Sequence, residues 1–251
     1  MAWYSLRGLV SAPPWEGTPM FETISGAATI FAEFGGIFVD LITGKEPDFF
    51  PLRSAMNGDG VWFWGLIMTL VGGLFVAWIY RVVPFIERNL ETTLMVVTYL
   101  AIGAIIFIEV IRRFVFSDQF PWSTTIPGYL FLIMTWTGCS YNVRLRTHLS
   151  FAEFRSKMPR LPQMALLSLD AFLWWGICWL VIVTSMTVAA NAGNNFMIVT
   201  GTDNVFVWWF LITLPLAFVL LSARVFQNLF EDIRKYRTGD TMIEQAVLGG
   251  Q

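Results

Sequence analysis

The chain has 251 residues, of which 56% are hydrophobic, including 12 Trp and 23 Phe, while only 14% are charged, for a net charge of −2. Mean hydropathy is +0.61. Soluble proteins carry about 25% charged residues, so these values exclude a disordered chain, give no electrostatic basis for nucleic-acid binding, and leave too little polar surface for an ordinary soluble enzyme. The bulk solvent of this chain is lipid. One histidine, His148, and two cysteines, Cys139 and Cys178, complete the short inventory of reactive groups. Both cysteines lie in apolar runs and read as packing.

The first twenty residues hold Arg7 as their only base, and Pro13-Pro14 interrupts any apolar core, so they do not read as a secretory signal. Thr23–Thr43 is apolar but carries Glu33 and Asp40, with Glu22 just before it. Steps of eleven and seven residues put the three acids on one helical face, which suits a helix lying in the membrane interface. A spanning helix is the alternative; it would carry Glu33 near mid-bilayer at a cost of about 2.5–3.5 kcal/mol.

A membrane helix needs about 20 mainly apolar residues. Five stretches satisfy this: Val61–Tyr80, Thr92–Ile111, Ile126–Val143, Leu167–Ala190 and Val205–Ala223. None alternates with the period of a barrel strand, so all read as helices. The expected fold is an all-α integral membrane protein. Lys and Arg flank the spans unequally: eleven fall on the side holding 144–160 and the C-terminal tail, five on the other. The positive-inside rule places the C-terminus in the cytoplasm and segments 112–125 and 191–204 outside.

Little chemistry is visible. One histidine cannot supply paired haem ligation, no cluster of Cys, His and acids forms a zinc set, and no nucleophile stands beside a base in a known motif. Glu109 lies three and four residues before Arg112 and Arg113, so it is expected to be neutralised locally. Asp170 lies near a helix end and is expected to be structural. Gly35-Gly36 and Gly72-Gly73 fit close helix approach, and Pro215 fits a kink in the last span. The physical reading is a small helical subunit that serves as scaffold for a partner.

Ile111–Phe116 closes a helix with Arg112-Arg113, Pro121-Trp122-Ser123 opens the next, and Gly138-Cys139-Ser140-Tyr141-Asn142-Val143-Arg144-Leu145-Arg146-Thr147-His148 ends it on a basic segment. In this order the motifs resemble the small membrane subunit, DctQ type, of tripartite ATP-independent periplasmic (TRAP) transporters. The resemblance covers residues 85–237, a four-helix domain. It leaves 1–60 as an extension with the interfacial helix, 61–84 as an additional transmembrane helix and 238–251 as a tail. Thr124 and Thr125 stand where the family often has an acid, as does Ala152, with Glu153 next.

The resemblance implies a bacterial inner-membrane subunit without catalytic, substrate or metal residues of its own. Its partners would be a large DctM-type membrane subunit holding the substrate and sodium sites, a periplasmic substrate-binding protein, and lipids, but no nucleic acid. The cargo would be an organic anion. Arg112, Arg113, Trp122, Arg144, Arg146 and His148 would face lipid headgroups or the large subunit. The N-terminal 60 residues, with seven acids against three bases, would help dock the binding protein if they lie outside. A cofactor-binding or electron-transfer membrane anchor is the competing class.

Overall fold

A computed structural model describes residues 19–146 and 158–241. It is an all-α membrane protein, with no strand among the described residues beyond a single bridge between Ile198 and Phe206. Seven helices are described: α1 (Pro19–Thr43), α2 (Phe50–Met56), α3 (Gly60–Val82), α4 (Pro84–Phe116), α5 (Ile126–Leu145), α6 (Arg160–Asn194) and α7 (Trp208–Thr238). The chain divides into two compact units that meet within α3, at Trp64 and Gly65.

In the first unit α1 packs on α2 around Ile30, Leu52, Met56 and Trp64, all buried. Gly60, at the start of α3, lies against the α1 backbone: a Cβ there would stand 2.7 Å from the Ala27 nitrogen. That approach is open only to glycine.

The second unit is built around α7, which packs on α3, α5 and α6, while α4 packs mainly on α5. Aromatic pairs mark these seams: Tyr129–Phe210 at 4.8 Å and Trp136–Phe218 at 5.6 Å join α5 to α7, and Trp175–Phe226 at 4.4 Å joins α6 to α7. Cys178 is buried in α6, and Cys139 is half-buried in α5; both are free thiols.

Lipid gives helices no hydrophobic reason to associate, so close packing and interhelical hydrogen bonds must do it. The seam between α3 and α7 uses both. Gly73 admits Ser222 and Phe226, where any side chain would collide. A π turn at Met68–Gly72 sits in this seam, and the Ser222 hydroxyl donates to the Thr69 carbonyl at 2.6 Å. Pro215 removes the donor that would bond to the Leu211 carbonyl, and α7 is broken at Ile212, between its segments Trp208–Leu211 and Thr213–Thr238.

The helices run longer than the apolar stretches that announce them. α4 begins at Pro84, not Thr92, and α7 continues past Ala223 to Thr238. The added turns are polar, but Glu91, Arg224 and Asp232 are buried between helices, so they extend the bundle. Five helices are long and apolar enough to cross a membrane: Met20–Thr43, Gly60–Val82, Pro84–Phe116, Arg160–Asn194 and Trp208–Thr238. This set differs from the sequence expectation at two places. α1 belongs to it, and α5 does not, because Thr135, Thr137, Ser140 and Asn142 dilute its apolar run. Of these, Thr137 and Ser140 are buried in the packed faces of α5, whereas Thr135 and Asn142 are exposed.

Candidate interface and polar core

The inward face of α4 is a stripe with alternating steps of four and three: Glu91, Met95, Thr98, Ile102, Ile105, Glu109 and Arg112. This is the heptad spacing of a helix that packs along another helix. Glu91 opens the stripe and is fully buried. Opposite it on α7 stands Arg224, 1% exposed, the largest fully buried side chain described.

The Arg224 guanidinium is satisfied at every nitrogen. Nε donates to Glu91 Oε1 at 2.9 Å and Nη2 to Glu91 Oε2 at 3.0 Å, a bidentate pair. Nη2 also donates to the Glu87 carbonyl at 2.8 Å, and Nη1 donates to Gln227 Oε1 at 2.7 Å. The guanidinium carbon lies 4.2 Å from the centre of the Tyr80 ring, on α3. Ser140 of α5 donates its hydroxyl to Glu91 Oε1 at 2.7 Å. One ion pair therefore touches α3, α4, α5 and α7.

The same end gathers other arginines. Arg144 donates to the Glu87 carbonyl at 3.1 Å. Arg146 closes α5 with a left-handed backbone, φ 55°, and its guanidinium reaches α7, donating to Asp232 at 2.7 Å and to the Asn228 carbonyl at 3.0 Å. Asn228 returns a bond to the Val143 carbonyl at 2.8 Å, so the open end of α5 is capped by α7. Arg160 starts α6 and donates to the Asp240 carbonyl at 2.9 Å, beyond the last turn of α7.

At the other end, π turn Arg112–Phe116 and left-handed Ser117 terminate α4. Arg112 pairs with Asp118 and stacks on Phe120 at 3.7 Å, and Phe120 stacks on Trp122 at 5.2 Å. Gly201, at φ 85°, packs against the Pro121–Trp122 peptide, which joins the 195–207 loop to the turn before α5. Among the described residues, Glu109 makes no ion pair with Arg112 or Arg113. Arg112 is turned to Asp118 by the chain reversal, Arg113 is exposed, and both carboxylate oxygens of Glu109 are buried without a hydrogen bond. Asp170 is half-buried on α6. His148 lies outside the described residues, as do Arg155 and Lys157. Of the expected interface residues, Arg144 and Arg146 meet at one end and Arg112 and Trp122 at the other; Arg144 and Arg146 are committed largely to this chain's own helices.

Residues 102–235, just over half of the chain, match the family of tripartite ATP-independent periplasmic transporters, DctQ component. The chain belongs to this family. No characterised protein matches it. As a DctQ component it is the small membrane subunit of a TRAP transporter. Residues before 102, including α1 to α3 and the first half of α4, lie outside the matched region.

That boundary runs through the polar core. Ser140, Arg144, Arg224 and Gln227 lie inside the DctQ match, whereas Tyr80, Glu87 and Glu91 lie outside it. The extra α3 and the start of α4 are thus locked to the DctQ helices by the Arg224 pair and by the Ser222–Thr69 bond. Sequence reasoning noticed neither Glu91 nor Arg224 as a site. The available signal was the stripe from Glu91 to Arg112, which puts a carboxylate on the packed face of an apolar helix.

Proposed function

We propose that this chain is a non-catalytic scaffold that braces the large DctM-type membrane subunit of a sodium-coupled transporter importing an organic anion of the carboxylate class. A periplasmic substrate-binding protein delivers the cargo, and sodium and substrate sites reside on the large subunit. The observation that carries this reading is the complete internal use of Arg224 and Glu91. A transport pathway needs polar groups with partners to exchange, whereas this pair is a fixed tie between four helices. Convergence of Arg144, Arg146, Arg160 and Arg224 at one end supports a bacterial inner-membrane setting with the C-terminus in the cytoplasm.

The test is uptake into proteoliposomes holding the large subunit with and without this chain, supplied with loaded binding protein. Uptake is expected to need this chain and a sodium gradient. Glu109→Gln and Asp170→Asn are expected to leave the sodium dependence unchanged. Equal uptake without this chain would overturn the scaffold role, a shifted sodium dependence would move ion coupling onto it, and a visible cofactor spectrum in the purified complex would favour the electron-transfer class.

A further inference from the structure

The surface of α1 is divided among three directions. Ala27, Ile30 and Ile37 are buried in the first unit, where α1 packs on α2. Met20, Ile24, Phe31, Phe38 and Ile42 form a second side, bulky, apolar and exposed. Glu22, Glu33 and Asp40 form a third, flanked by exposed Ser25, Thr29 and Thr43. At about 100° per residue, the exposed apolar stripe and the acid stripe point about 170° apart. A helix surrounded by hydrocarbon has no use for such opposed sides; a helix lying where hydrocarbon meets water does.

The connection to α3 sets the depth of α1. α3 is an apolar helix long enough to cross the membrane, and its Tyr80 lies against Arg224 near its end. Its first residue, Gly60, therefore stands at the opposite membrane boundary. α1 meets α3 there: Gly60 abuts the Ala27 backbone, and the Phe31 and Trp64 rings are 6.1 Å apart. If α1 crossed the bilayer beside α3, Thr43 would stand about 24 Å deeper than Ala27. Residues 44–59 would then have to climb back through hydrocarbon to reach Gly60. Residues 44–49 are not helical, and Lys45, Glu46, Asp48 and Asp59 are all exposed. Lipid accepts neither open backbone nor exposed charges at that depth. If α1 stood outward instead, Phe38 and Ile42 would be held in water.

We infer that α1 does not cross the membrane but lies in the interface at the Gly60 boundary, its apolar stripe against acyl chains and its acids in water. The five crossings are then α3 to α7. With the C-terminus in the cytoplasm, as in the proposed function, α1 and α2 lie on the periplasmic surface of the inner membrane; that side rests on the proposed orientation, whereas the interfacial position does not.

The experiment measures the labelling of single cysteines by a membrane-impermeant maleimide in spheroplasts carrying the full complex. Glu22→Cys, Glu33→Cys, Phe38→Cys, Asp40→Cys and Arg237→Cys are made one at a time. The native Cys139 and Cys178 lie within α5 and α6, and the unaltered chain supplies the blank. Glu22→Cys, Glu33→Cys and Asp40→Cys are expected to label from outside, and Arg237→Cys, near the end of α7, only after permeabilisation. Phe38 and Asp40 are about 3 Å apart along the helix axis, yet Phe38→Cys is expected to label at least about fivefold more slowly, because its thiol lies among acyl chains.

Labelling of Glu22→Cys and Asp40→Cys from opposite sides, or a Glu33→Cys that stays unlabelled, would show a crossing helix and overturn the inference. Equal rates at Phe38 and Asp40 would place α1 in water and overturn it as well, as would labelling of the α1 positions and Arg237→Cys from the same side. Labelling of Arg237→Cys from outside, with the α1 positions labelled together from inside, would overturn the proposed orientation and leave the interfacial position standing.

Discussion

At the Arg224 end of the second unit, four arginine side chains bond to residues at least 57 positions away: Arg144 to Glu87, Arg146 to Asp232, Arg160 to Asp240, Arg224 to Glu91. At the Trp122 end, Arg112 pairs with Asp118, only six positions along the chain, and Glu109 has no bonded partner among the described residues. The Arg224 end holds more basic and acidic side chains than the Trp122 end, and it uses them differently. Long-range pairs decide which helices are neighbours; the short-range pair shapes one turn. The difference teaches that in a lipid-solvated bundle the tie between helices is concentrated where charges are buried and fully bonded.

The comparison breaks most sharply at Arg224. Arg224→Met strips the buried Glu91 of its charge partner and is expected to destabilise the chain by about 3–5 kcal/mol, seen as loss of folded protein by size-exclusion in mild detergent. Adding Glu91→Leu removes the stranded charge, and the double variant is expected to recover most of that loss. A double variant no more stable than the single one would show that the pair contributes more than charge balance.

Next is the α3–α7 seam. Gly73→Leu drives a side chain into Ser222 and Phe226 and is expected to cost about 1–3 kcal/mol in thermal unfolding. Ser222→Ala removes the bond to the Thr69 carbonyl and is expected to cost about 0.6 kcal/mol by the same measurement, the average for a hydrogen bond between membrane helices. The smallest effect belongs to the Trp122 end. Asp118→Asn removes an exposed pair and is expected to change stability by less than about 1 kcal/mol, with high salt erasing the difference. A loss at Asp118 as large as that at Arg224 would remove the contrast between the ends.

Much of the fold was legible in the sequence. The apolar runs located α3, α4, α6 and α7, because length and hydropathy suffice to mark a helix that lipid must surround. α5 was located as well, although its average hydropathy is too low for it to stand among the most apolar helices. The segment from Ile111 to His148 was legible as a DctQ pattern. The polar core was not. Glu91 and Arg224 lie at the edges of their apolar runs, where charges are ordinarily taken as interfacial, and nothing local says that residues 133 apart will meet. Glu109 failed for the complementary reason: its neighbours in sequence are the right type and spacing for a pair, but the π turn and left-handed Ser117 send Arg112 to Asp118.

The sequence by itself determined the solvent, the helical class and the family, since each rests on composition or on short-range order that survives without tertiary contacts. Only the tertiary structure decided which charges are buried. Burying a carboxylate in a membrane bundle is tolerable only when a partner arrives with bonds for it, and the arrival of Arg224, Ser140 and the Tyr80 ring around Glu91 depends on how four helices pack.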